Sequence, residues 1–144
     1  MTQKDVFMQV AWQYYGVPYH FGGANHKGID CSGLVVECLK SVGLMKAFDD
    51  ATADQIWKKY LTAHGEKDHA EEGTLAFWFD DGGKAYHVAI CIDDYYCLTA
   101  DGGSSQVFGT KWEDVADALN AFIKVRPIDH RKSKPKFVHI FEED

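Results

Sequence analysis

The stretch Gly22-Gly23-Ala24-Asn25-His26-Lys27-Gly28-Ile29-Asp30-Cys31-Ser32-Gly33 joins a glycine-rich loop to an apolar segment. Apolar residues recur there at positions 34, 35, 38, 39 and 42, which predicts a buried helix ending near Gly43. Asp30 is the expected N-cap, so Cys31 takes the first helical position. Unpaired N–H groups and the helix dipole favour a thiolate there, which predicts a nucleophilic cysteine. The alternative is a small buried hydrophobic residue, the usual role of a free cysteine.

Length and composition describe a single globular domain. The 144 residues are 46% hydrophobic and can bury one sizeable core, so we predict one domain over residues 1–144. The net charge of −7 argues against nucleic-acid binding, which favours a basic surface. No apolar run is long enough for a membrane span, and the N-terminus lacks the pattern of a secretory signal. We therefore expect synthesis in the cytoplasm, with any release by a route that this sequence does not encode.

The cysteines do not form a pattern typical of a disulfide scaffold or a metal site. They stand at positions 31, 38, 91 and 97, and none belongs to a C-x-x-C pair. Cys91 and Cys97 could face each other across a hairpin, but free thiols are expected without an export signal. Because no H-E-x-x-H or paired-cysteine spacing is present, we expect no metal ion and no cofactor.

Helical patterns come first and strand patterns follow, which predicts an α+β fold with a mostly antiparallel sheet. A first helix begins near Thr2, and the capping box Thr52-x-x-Gln55 begins another that ends at Gly65. Residues 66–72 are expected to form a solvated loop. The predicted strands are 74–79, 86–92, 95–100, 121–125 and 137–141, with a short helix from Thr110 before the fourth.

A cysteine nucleophile needs a base and a group that orients it, and seven histidines compete for the first role. His87 is favoured because it begins an apolar strand, a rigid platform for a base. If the turn at 93–95 pairs residues whose numbers sum to an even value, His87, Thr99 and Asp101 share one sheet face. The other histidines are expected beside the glycine loop (His20, His26), on the solvated surface (His64, His69, His130) and in the core or at an edge (His139).

Four motifs follow one another along about the first 105 residues: Pro18-Tyr19-x-Phe21-Gly22-Gly23, Gly28-x-Asp30-Cys31-Ser32-Gly33-Leu34-Val35, Gly73-x-Leu75-x-Phe77 and His87-Val88-Ala89-Ile90. In this combination they resemble the NlpC/P60 family of cell-wall cysteine peptidases. The resemblance implies a papain-like α+β core, with the cysteine on a helix packed against the sheet that carries the histidine. It also implies hydrolysis of peptide bonds in peptidoglycan stem peptides, typically next to D-glutamate.

The resemblance also assigns roles to individual residues. It implies that Cys31 is the nucleophile, that His87 is the base and that the Tyr19 hydroxyl lies near the thiol. The third polar residue of the family, commonly histidine, falls on Thr99, which can accept a hydrogen bond but supplies no charge. Asp101 is a charged substitute for the orienting role. The expected substrate contacts are Asp30, Ser32 and Asp101.

Peptidoglycan stem peptides are therefore the expected partner. The family's usual N-terminal signal and wall-binding repeats are missing from the sequence, which favours a phage-derived lysin, a virion component or a protein released by lysis. A wall-targeting partner protein would then direct the acidic domain to its substrate. Two alternatives stay open: a decayed peptidase fold that serves as a structural or binding module, favoured by the missing third histidine, and a Cys/His amidase or acyltransferase.

Overall fold

A computed structural model describes residues 1–18, 24–25, 28–100 and 122–141 of the chain. Within these ranges the chain forms three helices and eight strands. The helices are α1 (Gln3–Gln13), α2 (Cys31–Ser41) and α3 (Ala53–His64). The strands are β1 (Ala24–Asn25), β2 (Gly28–Ile29), β3 (Glu66–Lys67), β4 (Thr74–Phe79), β5 (Ala85–Cys91), β6 (Tyr96–Ala100), β7 (Ile123–Pro127) and β8 (Lys136–His139).

Six of the strands form one sheet, in the order β3-β8-β4-β5-β6-β7, and every neighbouring pair is antiparallel. Strands β4, β5 and β6 follow one another in space as in sequence, whereas β8 returns to lie between β3 and β4. The short β1–β2 pair stands apart, directly before α2. Helices packed on an antiparallel sheet confirm the predicted α+β fold.

Local sequence signals set the helix boundaries. Thr2 and Asp5 exchange side-chain hydrogen bonds with each other's backbone N–H at the start of α1, and Thr52 and Gln55 do the same for α3. Helix α3 ends at Gly65, whose φ of 79° lies in the left-handed region that glycine adopts most readily. The helix starts predicted at Thr2 and Thr52 are therefore confirmed. None of these helices, in the part of the chain that the structure describes, combines the length and hydrophobicity that crossing a bilayer requires.

The sheet buries both of its faces. Side chains of alternating residues point to opposite faces, so Phe77, Val88 and Ile90 pack with the helices in the larger core. The other face carries a smaller cluster around Trp78 and Cys91, which Ile128 and Phe137 help to cover. The connection from β7 to β8 therefore lies over the face turned away from the helices.

Several boundaries differ from the sequence prediction. Residues 66–72 are not only a solvated loop, because Glu66 and Lys67 form β3 and pair with β8. Strand β7 runs to Pro127, and β8 begins and ends earlier than 137–141. Such strands depend on a partner that is distant in sequence, which a local pattern does not reveal. The helix predicted from Thr110 lies outside the described residues.

Cys91 and Cys97 occupy directly opposed positions on β5 and β6. Both cysteines are buried, and neither belongs to a disulfide bond. The structure thus agrees with the expectation of reduced thiols in the core.

Candidate active site

The start of α2 holds Cys31 in a capped turn. Asp30 is extended, with φ of −97° and ψ of −177°, and its Oδ1 accepts a hydrogen bond of 2.7 Å from the Gly33 N–H. The Ser32 hydroxyl donates to the same oxygen over 3.3 Å. The predicted N-cap is therefore confirmed. These contacts use Asp30 and Ser32 to shape the turn that presents the thiol, and their roles as substrate contacts stay predictions.

The sulfur of Cys31 lies against the strand that carries the candidate base. It accepts hydrogen bonds from the backbone N–H groups of Val88 and Ser32. Val88 directly follows His87 on β5, so the thiol is held beside the backbone of that strand. This contact joins the start of α2 to β5.

Burial determines the protonation of the thiol. It raises the pKa of Cys31 to about 11, and the nearby negative charge of Asp30 acts in the same direction. The two N–H donors and the positive charge of Arg131 favour the thiolate but do not outweigh burial. The N–H groups at the start of α2 thus favour the thiolate, as predicted, but burial acts more strongly in the opposite direction. A thiolate must form here by transfer of the proton to a neighbouring base.

His87 is fixed by a buried hydrogen bond to Thr99. The His87 Nε2 and the Thr99 Oγ1 are 2.8 Å apart, and the two residues are 5% and 0% exposed. Cα partners on β5 and β6, such as Ile90 with Leu98, have numbers that sum to an even value. The predicted shared face is therefore confirmed for His87 and Thr99. The contact supplies the geometry that an orienting group needs, while its catalytic role stays a prediction.

Trp78 and His130 pack around the candidate base. Trp78 is the Cα partner of His87 on β4, and their rings are 5.3 Å apart. His130, from the β7–β8 connection, lies 5.4 Å from the Trp78 ring and 6.5 Å from the His87 ring. A hydrogen bond of 2.8 Å to the Pro127 carbonyl fixes its Nδ1. The prediction of a solvated surface position for His130 is therefore wrong, because the connection folds back over the sheet.

Arg131 brings a positive charge to the same place. Its guanidinium carbon lies 5.8 Å from the Trp78 ring centre and 5.7 Å from that of Tyr86. A β-bulge between Trp78 and Phe79 leaves Tyr86 as an additional residue, next to His87. Sequence reasoning missed Arg131, since a basic residue in a polar loop about a hundred positions from Cys31 gives no local signal.

Two of the predicted site residues, Tyr19 and Asp101, lie outside the described residues. Their roles near the thiol and the base therefore stay predictions.

The described residues include the side-chain types that acyl transfer requires. Cys31 is the candidate nucleophile, His87 is the candidate base, and Thr99 holds the imidazole in one orientation. Cys31 and His87 do not belong to the one group of metal-ligand side chains found within the described ranges, which is His69, Glu71 and His139. These residue types are the ones that thiol hydrolases and transferases use.

Comparison with known proteins yields a consistent set of relatives. Residues 16–140 match the model of the NlpC/P60 family. Among curated sequences, the murein DD-endopeptidase MepH of Escherichia coli is 34% identical over 89 residues, which are 60% of this chain and 32% of that protein. Protein P54 of Enterococcus faecium is 30% identical over 104 residues, 71% of this chain and 19% of P54. The chain thus spans a third or less of the length of the curated relatives it matches.

Solved structures share the fold at low sequence identity. An NlpC/P60 family protein from Bacillus cereus superposes with a TM-score of 0.70 at 18% identity, over 95% of this chain and 40% of that one. RipD from Mycobacterium tuberculosis, described as a non-catalytic NlpC/P60 domain protein adapted to peptidoglycan binding, gives a TM-score of 0.68 at 16% identity. That match covers 98% of this chain and 99% of RipD. The fold alone is therefore no evidence of catalysis.

Proposed function

We propose that this chain, which belongs to the NlpC/P60 family of peptidoglycan hydrolases, is a cysteine peptidase that cleaves peptide bonds in peptidoglycan stem peptides. The single observation that carries the proposal is the buried 2.8 Å hydrogen bond between His87 and Thr99. It orients the His87 imidazole on β5, and the next residue of that strand, Val88, donates to the Cys31 sulfur. A binding module needs no imidazole that is held in one orientation.

The reaction begins with a neutral thiol, because burial raises the pKa of Cys31 to about 11. With Nε2–H of His87 donating to Thr99, Nδ1 takes the thiol proton as sulfur attacks the substrate carbonyl. The N–H groups of Val88 and Ser32 and the charge of Arg131 stabilise the anionic sulfur. Ion-pair formation is then linked to substrate binding, which excludes water and strengthens these interactions.

The tetrahedral intermediate collapses when His87 gives its proton to the leaving amine, which breaks the peptide bond and leaves a thioester on Cys31. Water attacks the thioester while His87 accepts its proton, and the products are a carboxylate and the regenerated thiol. The Cys31 N–H and the Tyr19 hydroxyl are the proposed donors to the oxyanion. One such donor contributes about 3 kcal/mol of transition-state stabilisation.

A non-catalytic binding module is the second candidate. Two observations favour it: the neutral Thr99 stands where a charged or histidine partner is usual, and the pKa of Cys31 is raised. Both make the thiolate harder to form. The hydrogen bond between His87 and Thr99 favours the peptidase instead, because it keeps the imidazole in the orientation that catalysis requires.

The test is incubation of the purified chain with defined muropeptides and mass spectrometry of the products. We expect fragments that together have gained one water per bond cleaved, and no cleavage by Cys31→Ala. Cys38→Ala is the matched control, since Cys38 is a buried thiol on the same helix and should leave turnover intact.

The outcomes separate the candidates. Muropeptide binding by a folded wild-type chain without cleavage would support the binding module and refute the peptidase. Cleavage by Cys31→Ala would exclude Cys31 as nucleophile. Products that carry the acyl group on an amine instead of water would identify an acyltransferase.

A further inference from the structure

A cluster of metal-ligand side chains lies where β8 meets the segment between β3 and β4. His139 is the last residue of β8, and its Cα partner is Thr74 at the start of β4. His69 and Glu71 belong to the segment that precedes β4, which the β3–β8 pairing holds near the same strand. One ligand atom from each of His69, Glu71 and His139 lies within 4.8 Å of the other two. The sheet topology thus brings together groups that are far apart in sequence.

Hydrogen bonding determines which nitrogen of His139 carries a proton. Its Nε2 lies 3.0 Å from the His69 carbonyl oxygen, which can only accept, so Nε2 is the donor. In the neutral ring Nδ1 then carries a lone pair, yet it faces the Glu71 Oε1 at 3.0 Å. Two acceptors at this distance require a cation between them or a proton on the ring. The pair therefore forms a natural site for a positive ion.

The same reasoning applies to His69. Its Nδ1 lies 2.9 Å from the Asp68 Oδ1, and because a carboxylate accepts, Nδ1 carries the hydrogen. This leaves the Nε2 lone pair of His69 as its ligand atom. Histidines that bind a metal usually donate their other N–H to a carboxylate or a backbone carbonyl. Each of the two histidines here has one of these partners, Asp68 or the His69 carbonyl.

We propose that His69 Nε2, His139 Nδ1 and a Glu71 carboxylate oxygen bind one divalent transition-metal ion, for which zinc is the representative. Ligand atoms at ~2.1 Å from zinc are roughly 3 to 3.5 Å apart, so the separation of His139 Nδ1 from Glu71 Oε1 fits with little change. His69 has to move closer to the other two ligands when the ion binds, and its side chain, which is 60% exposed, has room to do so. Water completes the coordination, as it does in other sites with three protein ligands.

The ion would have a structural role. It would tie the segment from Asp68 to Glu71 to the end of β8, and so fasten the edge of the sheet that β3 and β8 form. The sequence prediction of no metal site relied on ligands spaced closely along the chain. That prediction missed the present cluster because His69 and His139 are 70 positions apart in the sequence.

The test is a zinc titration of the full chain against a chromophoric chelator, in a Cys31→Ala background that removes a competing thiol. We expect one zinc per chain, with at least tenfold weaker binding in Glu71→Gln and in His139→Gln. Asp68→Asn should lose about tenfold, the effect typical of a group that orients a ligating histidine. His64→Gln is the matched control, a histidine outside the cluster that should keep the parent affinity.

Thermal unfolding in the same variants provides a second readout. Zinc should raise the melting temperature of the parent and of His64→Gln but not that of Glu71→Gln. Glu71→Gln should fold, because backbone groups of Glu71 make the turn: its N–H donates to Thr74 Oγ1 and its carbonyl accepts from the Thr74 N–H, each at 3.0 Å.

Absence of zinc binding by the parent would overturn the proposal. Equal affinity in the parent, Glu71→Gln and His139→Gln would overturn it as well. Because the background variant has no catalytic thiol, neither result bears on the peptidase proposal.

Discussion

Replacement of Thr99 by valine tests the orienting hydrogen bond most directly. Valine has nearly the shape of threonine, so Thr99→Val removes the hydroxyl and leaves the packing of a fully buried position almost unchanged. The His87 Nε2 loses the partner that lies 2.8 Å away, inside the protein where water does not replace it. The variant therefore isolates one interaction.

The expected magnitude follows from the cost of an unsatisfied buried donor. That cost is about 1–3 kcal/mol. If it falls wholly on the transition state, where the imidazole becomes an imidazolium, kcat/KM drops roughly 5- to 150-fold. The acid limb of the pH profile should also move to lower pH, because the imidazolium of His87 loses an acceptor.

The assay is kcat/KM on a defined muropeptide across pH, with melting temperatures measured on the same preparations. Thr99→Ser is the matched control, since it keeps the hydroxyl and should retain most of the activity. Asp101→Asn is measured in parallel because Asp101 is the charged alternative. A Thr99→Val enzyme within twofold of wild type, with an unmoved pH profile, would refute an orienting role for Thr99. A larger loss in Asp101→Asn would transfer that role to Asp101.

Two further predictions concern charge. Arg131→Gln removes a positive charge that lowers the pKa of Cys31. Alkylation of Cys31 by iodoacetamide at fixed pH should therefore slow, and its pH profile should shift upward, whereas Arg131→Lys should change little. An unchanged profile in Arg131→Gln would refute the electrostatic contact. Asp54 accepts from the Ala85 N–H at 2.9 Å, and this bond, followed by the one from Lys58, lowers the pKa of Asp54 below 3.8. Its stabilising effect is thus complete above the unfolded-state pKa and is lost as pH falls through the lower folded-state value. Asp54→Asn should lower the free energy of unfolding by about 2 kcal/mol near neutral pH and by less at acid pH, as measured by urea unfolding. Equal losses at all pH values would contradict a stabilising role for the Asp54 carboxylate.

Features that depend on neighbouring residues were predictable from the sequence. The caps at Thr2, Asp30 and Thr52 are made by side chains within three positions of the backbone groups they satisfy. The shared face of His87 and Thr99 follows from a tight hairpin and the twofold period of a strand. The resemblance supplied the family, which no local pattern could give.

Features that depend on distant chain segments were not predictable in this way. His130 and Arg131 reach the site only because the β7–β8 connection folds over the sheet. The pKa of Cys31 depends on how completely the surrounding protein excludes water, and burial outweighs the helix terminus that the sequence reveals. Strand β3 exists only because β8 lies beside it.

The bulge on β5 has a consequence for how the gene can tolerate length changes. Phe79 pairs with Ala85, and Trp78 pairs with His87, so the ladder holds one surplus residue between them. With this surplus residue, Ala85 packs in the helix-side core while the His87 ring packs against Trp78. Deletion of one codon between Ala85 and His87 would remove the surplus residue, so that Ala85 or His87 would lose its present packing. Insertions and deletions in descendants of this gene should therefore accumulate in the hairpin tip at 80–84 and spare the codons that follow it.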